Sequence, residues 1–143
     1  MQAWRLCRAA FADLAGDGAR LYGGRWNSPG RAMVYTASSA ALCVLEVRVH
    51  LDLPPDLIPD DYVLTAISLD GLSVESVETL PDNTRAFGDA WLQDQRTAVL
   101  RVPSLIVPES HNLLLNPTHP QASAARLLDR RPFAFDRRLW LPL

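Results

Sequence analysis

Short β-prone segments, broken repeatedly by glycine and proline, constrain the fold of this chain more than any other feature. Eleven prolines and seven glycines fall within 143 residues, so few apolar stretches are long enough for a helix. Alternation of apolar and polar residues within such stretches is typical of strands. We predict strands over 3–8, 18–22, 32–36, 62–69, 97–102, 104–107 and 112–115, with a closing edge strand over 133–135 and 138–140.

Two segments show helical spacing instead. Ser38 or Ser39 can cap a helix that continues to His50, and a second helix is predicted over 85–95. The segment 122–128 is predicted to form a short helix or a helical turn. Because the strands and helices do not alternate regularly, the pattern favours an α+β fold with a single domain over 1–143.

Composition narrows the class of protein. With 48% hydrophobic and 21% charged residues, the chain has the balance of an ordinary globular domain whose core needs no disulfide or metal. The formal net charge is -2, and no stretch concentrates positive charge, so direct nucleic-acid binding is not expected. All basic residues are arginine, which excludes lysine-based chemistry such as a Schiff base.

The cysteines and the hydropathy pattern indicate a cytoplasmic protein. Cys7 and Cys43 lie in apolar surroundings without metal-ligand spacing, and we predict two buried, reduced thiols. No apolar run approaches the ~18 residues of a membrane span, so no membrane association is expected. His111 and His119 have neither cysteine nor paired carboxylates around them, and the sequence predicts no metal site.

Two residues carry the strongest indications of a site. Arg25 directly follows a glycine pair, where a guanidinium can hold an anion; the alternative is a turn with Arg25 stacked on Trp26. Glu46 lies in an apolar helix, on the face that we expect to point inward with Leu42, Cys43, Val49 and His50. A carboxylate there is costly unless it is functional or paired with an arginine.

Ser104 stands in an otherwise apolar segment that we predict as a strand pair around Pro103. Its hydroxyl either faces a ligand or is a satisfied core group. No GxSxG turn surrounds it, so the residues do not indicate a hydrolase nucleophile.

Five motifs, in order, resemble the RES-domain toxin family, which is named for its Arg, Glu and Ser. They are Gly-Gly-Arg25-Trp-Asn, Val34-Tyr35-Thr36, Leu45-Glu46-Val47, Val102-Pro103-Ser104 and Asn116-Pro117-Thr118-His119-Pro120. The resemblance runs from about Trp4 to Pro120. It implies a compact, split, mostly antiparallel sheet with a few helices, similar to ADP-ribosyltransferases. It also implies cleavage of the nicotinamide–ribose bond of NAD⁺ and neutralisation by a helix-turn-helix antitoxin of the Xre type.

Matching by motif places the family's Arg at Arg25, its Tyr at Tyr35 and its Glu at Glu46. The family's Ser falls on Ser104, with Ser123 as a second match. We assign Glu46 to the ribose hydroxyls and the developing positive charge, Arg25 to the pyrophosphate and Tyr35 to the nicotinamide ring, while Ser104 fixes the ribose or the amide.

Three functions remain open at this point. The first is a toxin that degrades NAD⁺ as a glycohydrolase or phosphorylase, without a metal. The second is a mono-ADP-ribosyltransferase that modifies a cellular protein. The third is a non-catalytic binding module in which Arg25 and Glu46 form a buried pair.

Overall fold

A computed structural model describes residues 1–140 as seven strands and three α-helices. The strands are β1 (Gln2–Arg8), β2 (Val34–Ala37), β3 (Tyr62–Ser68), β4 (Val74–Ser76), β5 (Val99–Pro103), β6 (His111–Leu115) and β7 (Arg126–Pro132). The helices are α1 (Asp17–Tyr22), α2 (Ala40–His50) and α3 (Thr84–Asp94). Short 3-10 turns occupy Ala9–Phe11, Pro55–Leu57, Ala122–Ala124 and Arg137–Trp140.

The strands form one sheet in the order β4-β5-β6-β2-β1-β3-β7, antiparallel except for the β4–β5 pair. Its halves meet at β1 and β2, which pair only through Trp4 and Ala37. Beyond Trp4, β1 continues to Arg8 paired with β3 but not with β2, so the two halves separate on that side. The α+β fold with a split, mostly antiparallel sheet is therefore confirmed.

Each half of the sheet is covered by its own helix. Leu42 and Cys43 of α2 pack with Leu6, Ala37 and Leu64 of the strands beside the split. On the other half, a second cluster joins α3 to the sheet and contains Trp91, Leu92, Leu100, Val102 and Leu114. Ser39 caps α2 by accepting a 3.1 Å hydrogen bond from the Leu42 amide, as predicted, which sets where that helix begins.

Two of the strands predicted before residue 110 are wrong. Segment 18–22 lies in helix α1, which begins after Gly16 (φ 73°) and ends before Gly23 (φ 73°). Six residues are too few to show helical spacing, and the two glycines fix both ends. Segment 104–107 is a turn. The Ser104 hydroxyl accepts hydrogen bonds from the amides of Ile106 and Val107, and a strand would need these amides for pairing.

The C-terminal prediction also needs correction. Helical structure in 122–128 is limited to the turn Ala122–Ala124, after which β7 pairs with β3 as the edge strand. The predicted edge strand over 133–135 and 138–140 is wrong. Phe133 and Phe135 instead pack edge to face with each other, and Phe135 does so with Tyr62. Strand β4 was not predicted, since its three residues carry no clear alternation.

Candidate active site

A cleft of about 600 Å³ opens where β1 and β2 separate. Its walls are α1, the turn over residues 23–27 that follows it, strands β1 and β2, and helix α2. We call this turn the glycine turn. The volume falls in the range of about 300–1,000 Å³ that small-molecule sites occupy. Arg25, Tyr35 and Glu46, three of the five predicted site residues, all line this cleft.

Glycine is required in the turn that carries Arg25. The Gly24 amide donates a 3.0 Å hydrogen bond to the Asn27 carbonyl, which folds the turn back on itself. A Cβ atom at Gly24 would lie 2.5 Å from Oη of Tyr35, closer than any side chain tolerates. The glycine therefore lets the turn lie directly against Tyr35.

Helix α3 holds the same turn from outside the cleft. Thr84 Oγ1 donates a 2.7 Å hydrogen bond to the Arg25 carbonyl, and the Arg85 guanidinium donates to the Gly24 carbonyl at 3.1 and 3.2 Å. These bonds fix the main chain on both sides of the Cα of Arg25 and leave its side chain at the cleft wall.

The Arg25 guanidinium makes no ion pair within residues 1–140. The stacking alternative is not seen either in this part of the chain, where the cations that lie over aromatic rings are Arg48, Arg96 and Arg131. Trp26 is 2% exposed and packs edge to face on Phe87 at 6.0 Å. A positive charge at the cleft wall is thus available to an anionic ligand.

Tyr35 connects β2 to the glycine turn. Its hydroxyl donates a 2.6 Å hydrogen bond to Oδ1 of Asn27 and accepts one of 3.0 Å from the Trp26 amide. Burial raises the pKa of Tyr35 to about 12, so the phenol stays neutral near pH 7. The hydroxyl of Tyr35 is therefore occupied by the turn, while the residue lines the cleft.

Asn27 is a structural member of the site that residue types alone did not single out. Its fully buried amide donates to the carbonyls of Ala19 and Arg31, both at 2.9 Å, while its oxygen accepts from Tyr35. It therefore joins α1, the turn and β2. The available signal was its place in Gly-Gly-Arg25-Trp-Asn.

Glu46 is the polar centre of the opposite wall, and Ser104 is hydrogen-bonded to it. Ser104 Oγ donates a 2.7 Å hydrogen bond to Oε1 of Glu46. It accepts hydrogen bonds from the amides of Ile106 and Val107 at 3.1 and 3.2 Å. Since the lone pairs face these amides, the hydroxyl proton is directed at the carboxylate. Ser104 is 1% exposed and does not line the cleft, so it lies behind Glu46.

The inward face of α2 differs from the predicted one. Leu42 and Cys43 are buried, but Val49 is 56% exposed, and His50 is exposed at the end of the helix, where it lines the cleft. The helix lies over the split rather than over a continuous sheet. The face of the helix that carries Glu46 therefore borders the cleft instead of a core.

Ser123 is placed away from this centre. It is exposed in the 3-10 turn Ala122–Ala124 and does not line the cleft. The neighbouring Ala122 and Ala125 pack against the core cluster that contains Ala3, Val34 and Ile67. Of the two serine matches, the structure brings only Ser104 to Glu46.

The two cysteines are free, and both line the cleft. Burial raises the pKa of each thiol, that of Cys43 to about 12, so both remain protonated near pH 7. Cys43 is buried, whereas Cys7 is half-buried, less than the sequence predicts.

The observations on metal sites and on membrane-spanning helices apply to residues 1–140. In that range no three His, Cys, Asp or Glu side chains cluster as a metal site does. His111 contacts an arginine, Arg101, at 3.1 Å. None of the described helices has the length and apolar character needed to span a bilayer.

Comparison with known proteins agrees with the motifs. The model of the RES domain family matches residues 2–136, and the chain therefore belongs to the RES-domain family. Bacterial proteins named as toxins are similar to it over most of their length. It is 39% identical to Toxin Res of Pseudomonas putida over 132 residues. The aligned region covers 87% of this chain and 90% of that protein.

Two other similarities concern activity and fold. A Sphingobium protein named Prs ADP-ribosylating toxin is 40% identical over 152 residues, covering 95% of this chain and 94% of that protein. The fold is similar to that in the crystal structure of the Mycobacterium tuberculosis MbcT–MbcA toxin–antitoxin complex. The TM-score is 0.76 at 22% identity, covering 93% of this chain and 84% of the other.

Proposed function

We propose that this chain is the toxin of a bacterial toxin–antitoxin system and that it cleaves the nicotinamide–ribose bond of NAD⁺. The observation that carries the proposal is the arrangement of Arg25, Tyr35 and Glu46 around one cleft in the split sheet, with Ser104 bonded to the Glu46 carboxylate. The toxin names of its relatives support the same conclusion.

The chemistry needs a carboxylate more than a proton donor. Nicotinamide leaves as a neutral pyridine, so no strong general acid is required, and the barrier depends on stabilising an oxocarbenium-like ribose. Glu46 supplies the negative charge that stabilises this cation. Its second oxygen, Oε2, accepts hydrogen bonds from ribose hydroxyls. Ser104 acts as a positioning residue, because its hydroxyl holds Oε1 and thereby orients the carboxylate.

Arg25 binds the pyrophosphate. A guanidinium presents a planar fork that fits phosphate oxygens, and it is held here on a turn fixed by α3 and Tyr35. The ring of Tyr35 packs on nicotinamide, while its hydroxyl keeps the turn in place. Asn112 and His50 also line the cleft and are available to the ligand's polar groups.

The acceptor of the ADP-ribosyl group distinguishes two versions of the activity. With water or phosphate as acceptor, the products are nicotinamide and ADP-ribose or its phosphate ester, and the protein degrades NAD⁺. With a side chain as acceptor, it is a mono-ADP-ribosyltransferase. The second version is favoured by the 40% identity to a toxin named as ADP-ribosylating.

A binding module without catalysis is the weaker alternative. It requires Arg25 and Glu46 to neutralise each other, but Glu46 is bonded to Ser104, and no ion pair of Arg25 occurs in the described residues. Both charges are directed to the cleft instead.

Nicotinamide release by the purified protein tests the proposal. We expect release from NAD⁺ in buffer, with a phosphate titration separating hydrolysis from phosphorolysis. Mass spectrometry of a cell extract incubated with labelled NAD⁺ detects transfer to a protein. If neither free nicotinamide nor a labelled protein appears, the chain is not an NAD⁺-consuming enzyme.

The partner in this proposal is a helix-turn-helix antitoxin. A toxin that consumes NAD⁺ harms its own cell unless the cleft is blocked. Arg25 has no ion pair within residues 1–140, and its charge at the cleft wall is an anchor for a partner's carboxylate. The similar fold of a toxin solved with its antitoxin fits such an assembly. NAD⁺ and the antitoxin should therefore exclude each other, and a ternary complex that binds NAD⁺ with undiminished affinity would disprove blocking at the cleft.

A further inference from the structure

The last residue of α1, Tyr22, is an aromatic side chain left in water beside the cleft. It lines the cleft but is 75% exposed. Aromatic rings usually bury most of their surface, so an exposed ring at a cleft wall is available to a flat ligand.

The other aromatic residues of the cleft are already held by the protein. They are Trp4 in the cluster with Leu42 and Cys43, the half-buried Phe11, Trp26 in the core, Tyr35 on the glycine turn and Tyr62 against Phe135. Tyr22 belongs to none of the aromatic pairs and core clusters found in residues 1–140. Among the six, it is the ring whose faces are most accessible.

Its position relative to Arg25 indicates which part of a ligand it meets. Only Gly23 and Gly24 separate the two residues, and the Gly23 amide closes the helix by donating to the Ala19 carbonyl at 2.8 Å. Tyr22 and Arg25 therefore belong to one wall of the cleft, whereas Glu46 belongs to the other, on α2.

A dinucleotide has a pyrophosphate between two nucleosides. If Glu46 takes the nicotinamide riboside and Arg25 the pyrophosphate, the remaining aromatic group is the adenine, and the accessible ring next to Arg25 is Tyr22. We infer that Tyr22 stacks on the adenine of the substrate and makes the site selective for a dinucleotide over a mononucleotide. This inference rests on the proposed function.

The test compares NAD⁺ with nicotinamide mononucleotide, which carries the same scissile bond but no adenine. In Tyr22→Ala, we expect the ratio of kcat/KM for NAD⁺ to that for the mononucleotide to fall about tenfold, mainly through KM, because one stacked base is lost. Tyr22→Phe keeps the ring and should retain the ratio. Leu21→Ala is the matched control, since Leu21 is 49% exposed on the same helix and does not line the cleft.

A binding measurement keeps this inference separate from the proposed function. Calorimetry with AMP needs no turnover, and we expect the parent to bind AMP about tenfold more tightly than Tyr22→Ala. If the parent releases no nicotinamide but shows this difference, the proposed reaction fails and the adenine site stands. The role of Tyr22 would be overturned if Tyr22→Ala lowered kcat/KM equally for both substrates. It would also be overturned if the ratio and the AMP affinity were both unchanged, or if the variant weakened only antitoxin binding.

Discussion

Ser104 Oγ lies 2.7 Å from Oε1 of Glu46 and donates its proton to that carboxylate, although 58 positions separate the two residues in the chain. The Ser104 oxygen accepts hydrogen bonds from two amides, and these bonds fix the direction of the hydroxyl proton. A buried hydroxyl thus orients the one carboxylate that the proposed reaction depends on.

Ser104→Ala should lower kcat about tenfold with a smaller change in KM, because Glu46 stays charged but loses its orientation. Loss of the buried hydroxyl also leaves two amides unpaired, which should cost about 1–3 kcal/mol of unfolding free energy. Steady-state kinetics and urea unfolding measure the two effects. The control is Ser123→Ala; if it lowers kcat and Ser104→Ala does not, the family's Ser is Ser123.

Glu46→Gln should preserve the fold and remove most turnover. The amide keeps the shape and accepts the Ser104 hydrogen bond, but it lacks the charge that stabilises the ribose cation. Losing one such electrostatic contact typically costs about 10²–10³ in rate. Nicotinamide release, with circular dichroism as the check on folding, measures the effect. A folded variant that turns over at the parent rate contradicts the assigned role.

Arg25→Lys should weaken NAD⁺ binding about tenfold at unchanged net charge, because a point charge on a flexible stem replaces the planar fork. Calorimetry on the folded variant measures the affinity. Arg20→Lys is the matched control, since Arg20 is exposed on α1, pairs with Asp17 at 3.3 Å and does not line the cleft. Equal affinity for the parent and Arg25→Lys would make Arg25 a structural residue.

Gly24→Ala should destabilise the protein by about 1–3 kcal/mol, since its Cβ would lie 2.5 Å from Oη of Tyr35 and force the turn away. Gly18→Ala is the control within the same region. There the new Cβ would meet the Phe11 ring at an ordinary 3.7 Å, and alanine favours the helix. Thermal unfolding of both variants gives the comparison, and equal stability would show that the turn accommodates a side chain.

Stability should fall at alkaline pH partly through Tyr35. Its pKa is raised from 10.0 to about 12 in the folded chain, so between these values the unfolded state loses the proton first. The contribution is fully present below pH 10 and is lost as the pH rises toward 12. Cys43 acts in the same direction from 9.0 upward. Urea unfolding at a series of pH values should give a shallower decline above pH 10 for Tyr35→Phe, and identical slopes would exclude Tyr35.

Local patterns in the sequence predicted the elements whose hydrogen bonds are local or whose alternation is long enough. Helix α2, with its Ser39 cap, and strand β3 are the clearest cases. The motif resemblance placed Arg25, Tyr35 and Glu46 as site residues. Their arrangement around one cleft agrees with that assignment, while the roles of the individual residues stay predictions.

Helix α1 and strand β7 were not predictable in the same way. A six-residue helix between two glycines has no periodicity to detect. Strand β7 is exposed along its whole length, so burial leaves no alternating pattern in its sequence, and only pairing with β3 makes it a strand.

The sequence by itself determined the family, the α+β class and the residue types of the site, because these follow from motifs, periodicity and composition. Tertiary structure decided that β1 and β2 pair only at Trp4 and Ala37 and open a cleft beyond them. It also placed Ser104 behind Glu46 and left the ring of Tyr22 exposed near Arg25. These relations join segments far apart in the chain or depend on what the rest of the chain leaves uncovered. They form when strands pair and helices pack, which no local pattern of residues specifies.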